Sequence, residues 1–512
     1  MTDPLDIRYT ANPEYQTEHD GTYWLLASPT GWGIALDQWT FEVWSAFDGR
    51  ATDEVIASLV LAPGSTTALL HSTTKVLARM GLLCPSQPLP PPPTPSPAQT
   101  APLGRTPLIT IIVLAGRNAR SHLETCLPSL MAQNYPNLEL LLVDNQTTDD
   151  SVAFTRANYP QVRILSTGAP LGFDAANNRG IAAARGEFYL LLNDDTELEP
   201  DCIAECMTVM ARSEQFAAVV PKMKLFYLRQ FINSIGNSLY PSGLSCDNMV
   251  GYLDVGQFDN THQVFSACFG AVLLRRSVIE EIGPLDEQYA FYFEDMDWSY
   301  RAQLRGYQIV AAPRAVVYHR FNATMQTLAT TFKTGLIARN RLRFIWKNLN
   351  IGRAIRLTWI YARESLRHML WARQHGQEEI AHTYRTSWGQ WLVSWPRLLA
   401  DRRRTRRSRH AGFRDDAVFA LVDKIPRPAM HGPYPILSRS LVHQHYQHLD
   451  LFQPDTLSDL EELAETDPEP ATDLSVLVDK AARVLREQGA RELAREIWRY
   501  LYWRLSTSHQ GR

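Results

Sequence analysis

Two short acidic clusters hold the residues best able to do chemistry. In the first, Asn193-Asp194-Asp195 follow directly on the apolar run Phe188-Tyr189-Leu190-Leu191-Leu192. An unbroken apolar run of this length fits a strand buried on both faces, as in a parallel sheet. Open parallel sheets bind ligands just beyond the carboxyl ends of their strands. Adjacent carboxylates there repel each other unless a cation joins them, and oxygen ligands suit Mg2+ or Mn2+. The plain alternative is a polar turn capping the next helix. In the second cluster, Glu294 and Asp295 follow the aromatic run Tyr289 to Phe293, and Asp297 comes soon after. Aromatic surroundings raise a carboxylate pKa and offer a partly apolar platform for a sugar ring. A base must lie within hydrogen-bond reach of the hydroxyl it deprotonates. Asp297 reads instead as an acidic N-cap for a helix from Trp298 to Arg305, which Gly306 ends.

Three further positions join them. Asp144 closes the apolar stretch Leu138 to Val143. A carboxylate there can accept hydrogen bonds from a nucleobase imide or a ribose hydroxyl, or can cap its own loop as an Asx-turn. Leu171 to Gly180 is a glycine-flanked loop entering a helix. Gly172 permits close backbone approach, the helix start offers unpaired N–H groups to phosphate oxygens, and Arg179 adds a charge-assisted contact. Asp174, in the same loop, is read as a cap without chemistry. His319 follows the strand-like Ala315 to Tyr318; a lone histidine is more often structural, although imidazole is a reasonable Mn2+ ligand.

The elements that must position these residues alternate. Strands are expected at Leu108–Leu114, Leu138–Val143 and Val162–Leu165, with helices at Ser121–Ala132, Ser151–Ala157 and Asn177–Ala184, before the central apolar strand. Strand, helix, strand, helix at this spacing argues for a parallel sheet with right-handed crossovers.

Four phrases then carry a family resemblance. They are Val143-Asp144-Asn145-Gln146-Thr147-Thr148-Asp149; Leu171 through Asn177-Asn178-Arg179-Gly180-Ile181; Leu192-Asn193-Asp194-Asp195-Thr196; and Gly283-Pro284-Leu285-Asp286-Glu287 through Tyr292-Phe293-Glu294-Asp295-Met296-Asp297 to Val317-Tyr318-His319. In this order and spacing, residues 107 to about 325 resemble a family 2 glycosyltransferase of the rhamnosyltransferase-like branch. The resemblance implies a GT-A fold: α/β, Rossmann-like, with a mostly parallel sheet flanked by helices. It implies nucleotide contacts from Asp144, Asn145, Gly172, Asn177, Arg179, Asn193 and Asp194. Asp195 and His319 would hold Mg2+ or Mn2+, with Asn193 standing where the family's metal motif has its first aspartate. Asp295 would be the base of an inverting transfer and Glu294 would orient the acceptor. The implied partners are a dTDP- or UDP-sugar, rhamnose among the candidates, and a glycan, lipid-linked or peptide acceptor.

The bulk numbers agree with a globular enzyme. The 512 residues are 45% hydrophobic and 21% charged, with a net charge of -3, so nothing in the balance calls for nucleic acid. The six cysteines are scattered, and reduced thiols in a cytoplasmic protein are expected. The N-terminus lacks the basic-then-apolar pattern of a signal peptide, and no stretch of about 18 apolar residues is present.

The chain divides by composition. Residues 1–84 form a small α+β domain; Phe47-Asp48-Gly49-Arg50-Ala51-Thr52 resembles the peptide-recognition family of the pyrroloquinoline-quinone synthesis D protein. Residues 85–107 are a proline-rich linker. The glycosyltransferase-like domain covers 108–325, and a basic, aromatic helical extension covers 326–453. An acidic linker (454–473) and C-terminal helices (474–512) follow. Between 353 and 409, Trp359, Trp371, Trp388, Trp391 and Trp395 alternate with arginines, ending in Arg402-Arg403-Arg404-Thr405-Arg406-Arg407. Such a stretch suits peripheral contact with the inner face of the cell membrane, or a solvated helix packed on the catalytic domain. Competing readings are a sugar-nucleotide nucleotidyltransferase, for which Ala115-Gly116-Arg117-Asn118 is too short a loop, and a non-catalytic carbohydrate-binding or scaffold protein.

Overall fold

The structure is a computed structural model. It describes residues 8–28, 33–59, 67–80, 82–85, 106–240, 242–254, 259, 263–320, 330–407, 409–410, 412–413, 415–422, 430–431 and 434–438. Most of the proline-rich linker, the acidic linker and the C-terminal helices expected from 474 lie outside these residues. The chain forms two compact units, residues 1–92 with 436–512, and residues 93–435.

In the first unit, strands Trp24–Ala27 and Gly33–Leu36 pair antiparallel, and Gln16–His19 pairs with the former. Ile436 and Leu437 pair parallel with Ala35 and Leu36. Asp37 caps the helix Gln38–Ser45 by accepting from the Thr40 amide. Helices Thr52–Leu59 and Thr67–Arg79 follow. Strand Arg8–Ala11 lies between Asp48–Ala51 and Leu83–Pro85 in a separate sheet.

The second unit is built on a nine-stranded mixed sheet. In chain order its first half is β1 (Ile109–Ala115), α1 (Arg120–Met131), β2 (Leu138–Asp144), α2 (Ser151–Asn158), β3 (Arg163–Ser166), α3 (Phe173–Ala183) and β4 (Phe188–Asn193). These strands run parallel in the order β4-β1-β2-β3. The β-branched run of β1 suits a pleated strand. Its Ile111 and Val113 face one apolar cluster and Ile112 the other. Burying each such side chain stabilises by about 1.5–3 kcal/mol.

The second half is β5 (Thr196–Leu198), α4 (Cys202–Met210), β6 (Phe216–Leu225), the short strands β7 (Ile232–Ser234), β8 (Asn237–Leu239) and β9 (Ser245–Asp247), then β10 (Ala271–Arg275) and α5 (Arg276–Ile282). Helix α6 (Glu294–Leu304) and the long β11 (Gln308–His319) complete it. Strand β10 pairs antiparallel with both β4 and β6 and so interrupts the parallel sheet. Beyond it, β6 and β11 run parallel to each other and β5 returns antiparallel along β11. The helical extension comprises α7 (Thr330–Asn348), α8 (Ile351–Gln374), α9 (Glu378–Val393), α10 (Trp395–Arg407) and α11 (Asp415–Phe419).

Two boundaries differ from the sequence expectation. Helix α3 starts at Phe173, not Asn177, and α6 starts at Glu294, not Trp298. Both begin where the chain makes a tertiary contact: the Phe173 amide donates to the Ala290 carbonyl at 2.7 Å. No local cap residue announces either start.

Candidate active site

The carboxyl ends of β1, β2 and β4 lie side by side, and β11 brings His319 to the same edge through β5. In the β5–β11 pair, Thr196 stands opposite His319. The Nε2 of His319 lies 3.2 Å from Asp195 Oδ1. Its Nδ1 is 2.6 Å from Asn233 Oδ1, the kind of outer contact that fixes an imidazole tautomer. Burial pushes the Asp195 carboxyl up, but the facing imidazole outweighs it and the pKa is lowered.

Asp194 faces elsewhere. It accepts from the Gly116 amide at 3.0 Å and lies 3.4 Å from Nδ1 of His122 on α1. Burial raises its pKa. It fastens the β1–α1 loop to the end of β4. Asn193 is half-buried beside Gly270, and its amide donates to the Gly270 carbonyl at 3.0 Å.

Among the described residues, no group of three or more His, Cys, Asp or Glu is placed to hold a metal ion. The donor set nevertheless suits a divalent ion. Asp195 Oδ1 is buried without a hydrogen-bond donor and is paired across to an imidazole. Mg2+ is commonly held by only one or two protein carboxylates, with waters and substrate phosphates completing the shell.

On the other side, Asp295 is buried in the first turn of α6. Its Oδ2 accepts from Asn237 Nδ2 at 2.5 Å and its Oδ1 from the Met296 amide at 2.7 Å. Burial pushes its pKa up to about 7, against those hydrogen bonds. Glu294 is buried with Oε2 unpartnered; burial, then Asp295 and Asp174, hold its pKa well above the usual carboxylate range. Asp247 ends β9. It interacts electrostatically with both His319 and Asp295, and burial pushes it up to about 6. The irregular segment from 226 to 265 gave no sequence signal for Asp247, Asn233 or Asn237. His122 was equally silent, as one polar residue on an amphipathic helix.

The loop ahead of α6 is unusual. Ala290, Tyr292 and Phe293 have φ of 65°, 67° and 73°. Non-glycine residues held this way each cost about 1–3 kcal/mol and need external support. Helix α7 gives it: Asn340 Nδ2 lies 2.9, 2.7 and 3.0 Å from the carbonyls of Tyr289, Phe291 and Tyr292. Arg339 donates to the carbonyls of Gln288 and Tyr289.

Two expectations are corrected here, the aromatic platform and the N-cap. The aromatic run is not a sugar platform as a whole: Tyr289 and Phe293 are core residues, and only Phe291 and Tyr292 are half-buried. Asp297 is no N-cap. It is fully buried one turn into α6, paired with Arg301 at 2.8 Å and Lys347 at 2.7 Å, and these cations hold its pKa low against burial. Gly172 makes its close approach to the protein itself; a Cβ there would lie 3.0 Å from Cα of Ala290. The Asn145 side-chain amide holds both the N–H and the carbonyl of Leu171 at 2.9 Å. Asn177 bonds back to the Phe173 carbonyl within its own helix. Arg179 is exposed six residues along α3, about 9 Å from the helix start. Asp144 does form the Asx-turn, accepting from the Thr147 amide and hydroxyl at 2.9 Å, while staying half-exposed at the sheet edge. Asp174 is fully buried beside Ala290, where burial pushes it up to about 8.

These phrases are thus tied to one another. Asn178, for example, bonds both the amide and the carbonyl of Leu285 at 3.0 Å, joining α3 to the segment that leads into α6.

Residues 111–283 match Glycosyl transferase family 2. The chain is 28% identical over 238 residues to the uncharacterized protein y4gI of Sinorhizobium fredii, covering 44% of this chain and 25% of that protein. It is 27% identical over 234 residues to the N-acetylglucosaminyl-diphospho-decaprenol L-rhamnosyltransferase of Mycobacterium tuberculosis, covering 40% of this chain and 73% of that one. With the O-antigen biosynthesis protein RfbC of Myxococcus xanthus the figures are 26% over 268 residues, 51% and 21%. Among solved structures, the mannosyltransferase PcManGT from Pyrobaculum calidifontis in complex with GDP-Man and Mn2+ is 16% identical at a TM-score of 0.36, over 72% of this chain and 97% of that one. The chain spans about a quarter of the length of y4gI and a fifth of that of RfbC.

Proposed function

We propose that this protein is an inverting, metal-dependent glycosyltransferase that moves a hexose from a nucleotide-sugar donor to a glycan, lipid-linked or peptide acceptor. The observation that supports this reading is the Asp195–His319 pair at 3.2 Å, together with Asp247, whose charge acts on both His319 and Asp295. A dTDP- or UDP-sugar, with rhamnose the first candidate by similarity to the mycobacterial enzyme, is the donor to test.

Asp195 and His319 would hold Mg2+ or Mn2+, which when bound neutralises charge on the departing nucleoside diphosphate. Asp144, at the neighbouring strand end, is the residue best placed for the nucleoside. Asp295 accepts the proton of the acceptor hydroxyl as that oxygen bonds to the anomeric carbon; the bond from that carbon to the phosphate oxygen breaks, and its electron pair leaves with the diphosphate. A pKa near 7 keeps a substantial fraction of Asp295 ionised at neutral pH and still basic enough to hold the proton. Glu294, neutral through burial, offers an O–H to the acceptor.

The first unit, read as a peptide-recognition domain, supports a ribosomal peptide acceptor; retention of peptide by the full chain, lost on altering the Phe47–Thr52 phrase, tests that. The central test is donor screening for Mn2+- or Mg2+-dependent release of nucleoside diphosphate. Absence of metal-dependent release with every sugar nucleotide overturns the reading.

A further inference from the structure

Helix α8 presents a surface that catalysis does not use. Its inner side is buried through Ala354, Leu357, Tyr361, Ser365 and Ala372. On its outer side Ile351, Ile355, Trp359, Leu366 and Leu370 are between 49% and 67% exposed. At 3.6 residues per turn these five share one sector about 100° wide, along about 28 Å of helix. Exposed apolar patches of this extent mark interaction sites.

The flank of the stripe indicates what it meets. Arg356, Arg363 and Arg367 are all exposed and fall in the adjoining sector, about 40° wide. The helix has one acidic residue, Glu364, and that is turned to Arg341 at 2.8 Å. An apolar stripe with an indole, edged by an unbroken basic ridge, matches a surface whose outer layer is anionic and whose inner layer is hydrocarbon. A second copy of this face would bring arginine ridges together with no carboxylate of α8 to offset them. The tryptophans of the extension divide accordingly. Trp391 is buried, and Trp388 and Trp395 pack against the same cluster, while Trp359 stands out from α8. No helix among the described residues is long and apolar enough to cross a membrane.

We propose that the outer face of α8 seats the protein in the headgroup layer of an anionic bilayer. The seat stands on these observations; its use, delivering a lipid-linked acceptor to Asp295, rests on the transferase reading. The test is co-sedimentation of the full chain with vesicles of phosphatidylcholine alone and of phosphatidylcholine mixed with phosphatidylglycerol. The expected result is salt-sensitive binding to the mixed vesicles only. Replacing Arg356, Arg363 and Arg367 together by Gln should weaken it on the order of a hundredfold. A double variant, Ile355→Ser with Trp359→Ser, should weaken it at least about tenfold. All are exposed, so melting temperatures should stay close to the parent's. Failure of the parent to bind mixed vesicles, or equal binding by both variants, overturns the proposal. So does a change of oligomeric state in the variants without vesicle binding by the parent, which would make the face an interface between copies. Metal-dependent release of nucleoside diphosphate, measured without vesicles on the same samples, separates the two readings. If release fails while vesicle binding behaves as expected, the transferase reading fails and the seat stands.

Discussion

Asp194 and Asp195 follow a strand paired on both sides, whereas Glu294 and Asp295 follow a loop with three non-glycine residues at positive φ. The strand-borne side needs little beyond its own sheet: β11 arrives in register and sets His319 against Asp195. The loop-borne side depends on helices far along the chain. Asn340 holds its carbonyls, and Lys347 neutralises Asp297 beneath it. A site can therefore join one half that is rigid by pairing to another that is strained and held by distant side chains. The strained half carries the group whose pKa is poised near neutrality.

Four experiments would break or sharpen that contrast. Asp295→Asn should lower transfer by about 10²–10⁴-fold while leaving nucleoside diphosphate binding nearly unchanged, read by steady-state rates beside calorimetric titration. Equal transfer by this variant would show that the loop-borne side holds no base. Lys347→Met removes one of the two cations paired with the buried Asp297 carboxylate and should destabilise the catalytic unit by about 1.5–3 kcal/mol, measured by denaturant unfolding. The strand-borne side should show no comparable weakness. Replacing Asn233 by Ala removes the group orienting His319, and should weaken Mn2+ binding by about 10–100-fold with little change in melting temperature. An unchanged affinity would dissociate His319 from any metal.

The pH profile has the smallest effect. The base must be ionised, and burial raises Asp295 to about 7. So kcat/KM should rise with pH, about tenfold per unit well below neutrality, and level off above pH 7. The same profile for Asp295→Asn should lose that limb.

Much of the strand-borne side was legible in the sequence. The apolar run of β4 ended by Asn193-Asp194-Asp195, and the alternation of β1 to α3, follow from short-range pattern, since a buried parallel strand leaves few other choices of residue. Roles of individual side chains were less legible. Asn145 and Asn177 stand in the expected phrases but bond the protein's own backbone, and a phrase does not say which way an amide points. Asp247, Asn233 and Asn237 were missed because their strands are three residues long and form no period. The early start of α6 was missed because a left-handed Phe293 precedes it, and only the hold from Asn340 makes that conformation tolerable.

By itself, the sequence determined the alternation that makes a parallel sheet and the acidic ends of its strands, because both are matters of neighbours along the chain. Only the tertiary structure decided which carboxylates are buried, which have raised pKa values and which are paired. Burial and the nearness of Lys347, His319 or Asn237 set those states, and such partners lie tens to over a hundred residues away in sequence.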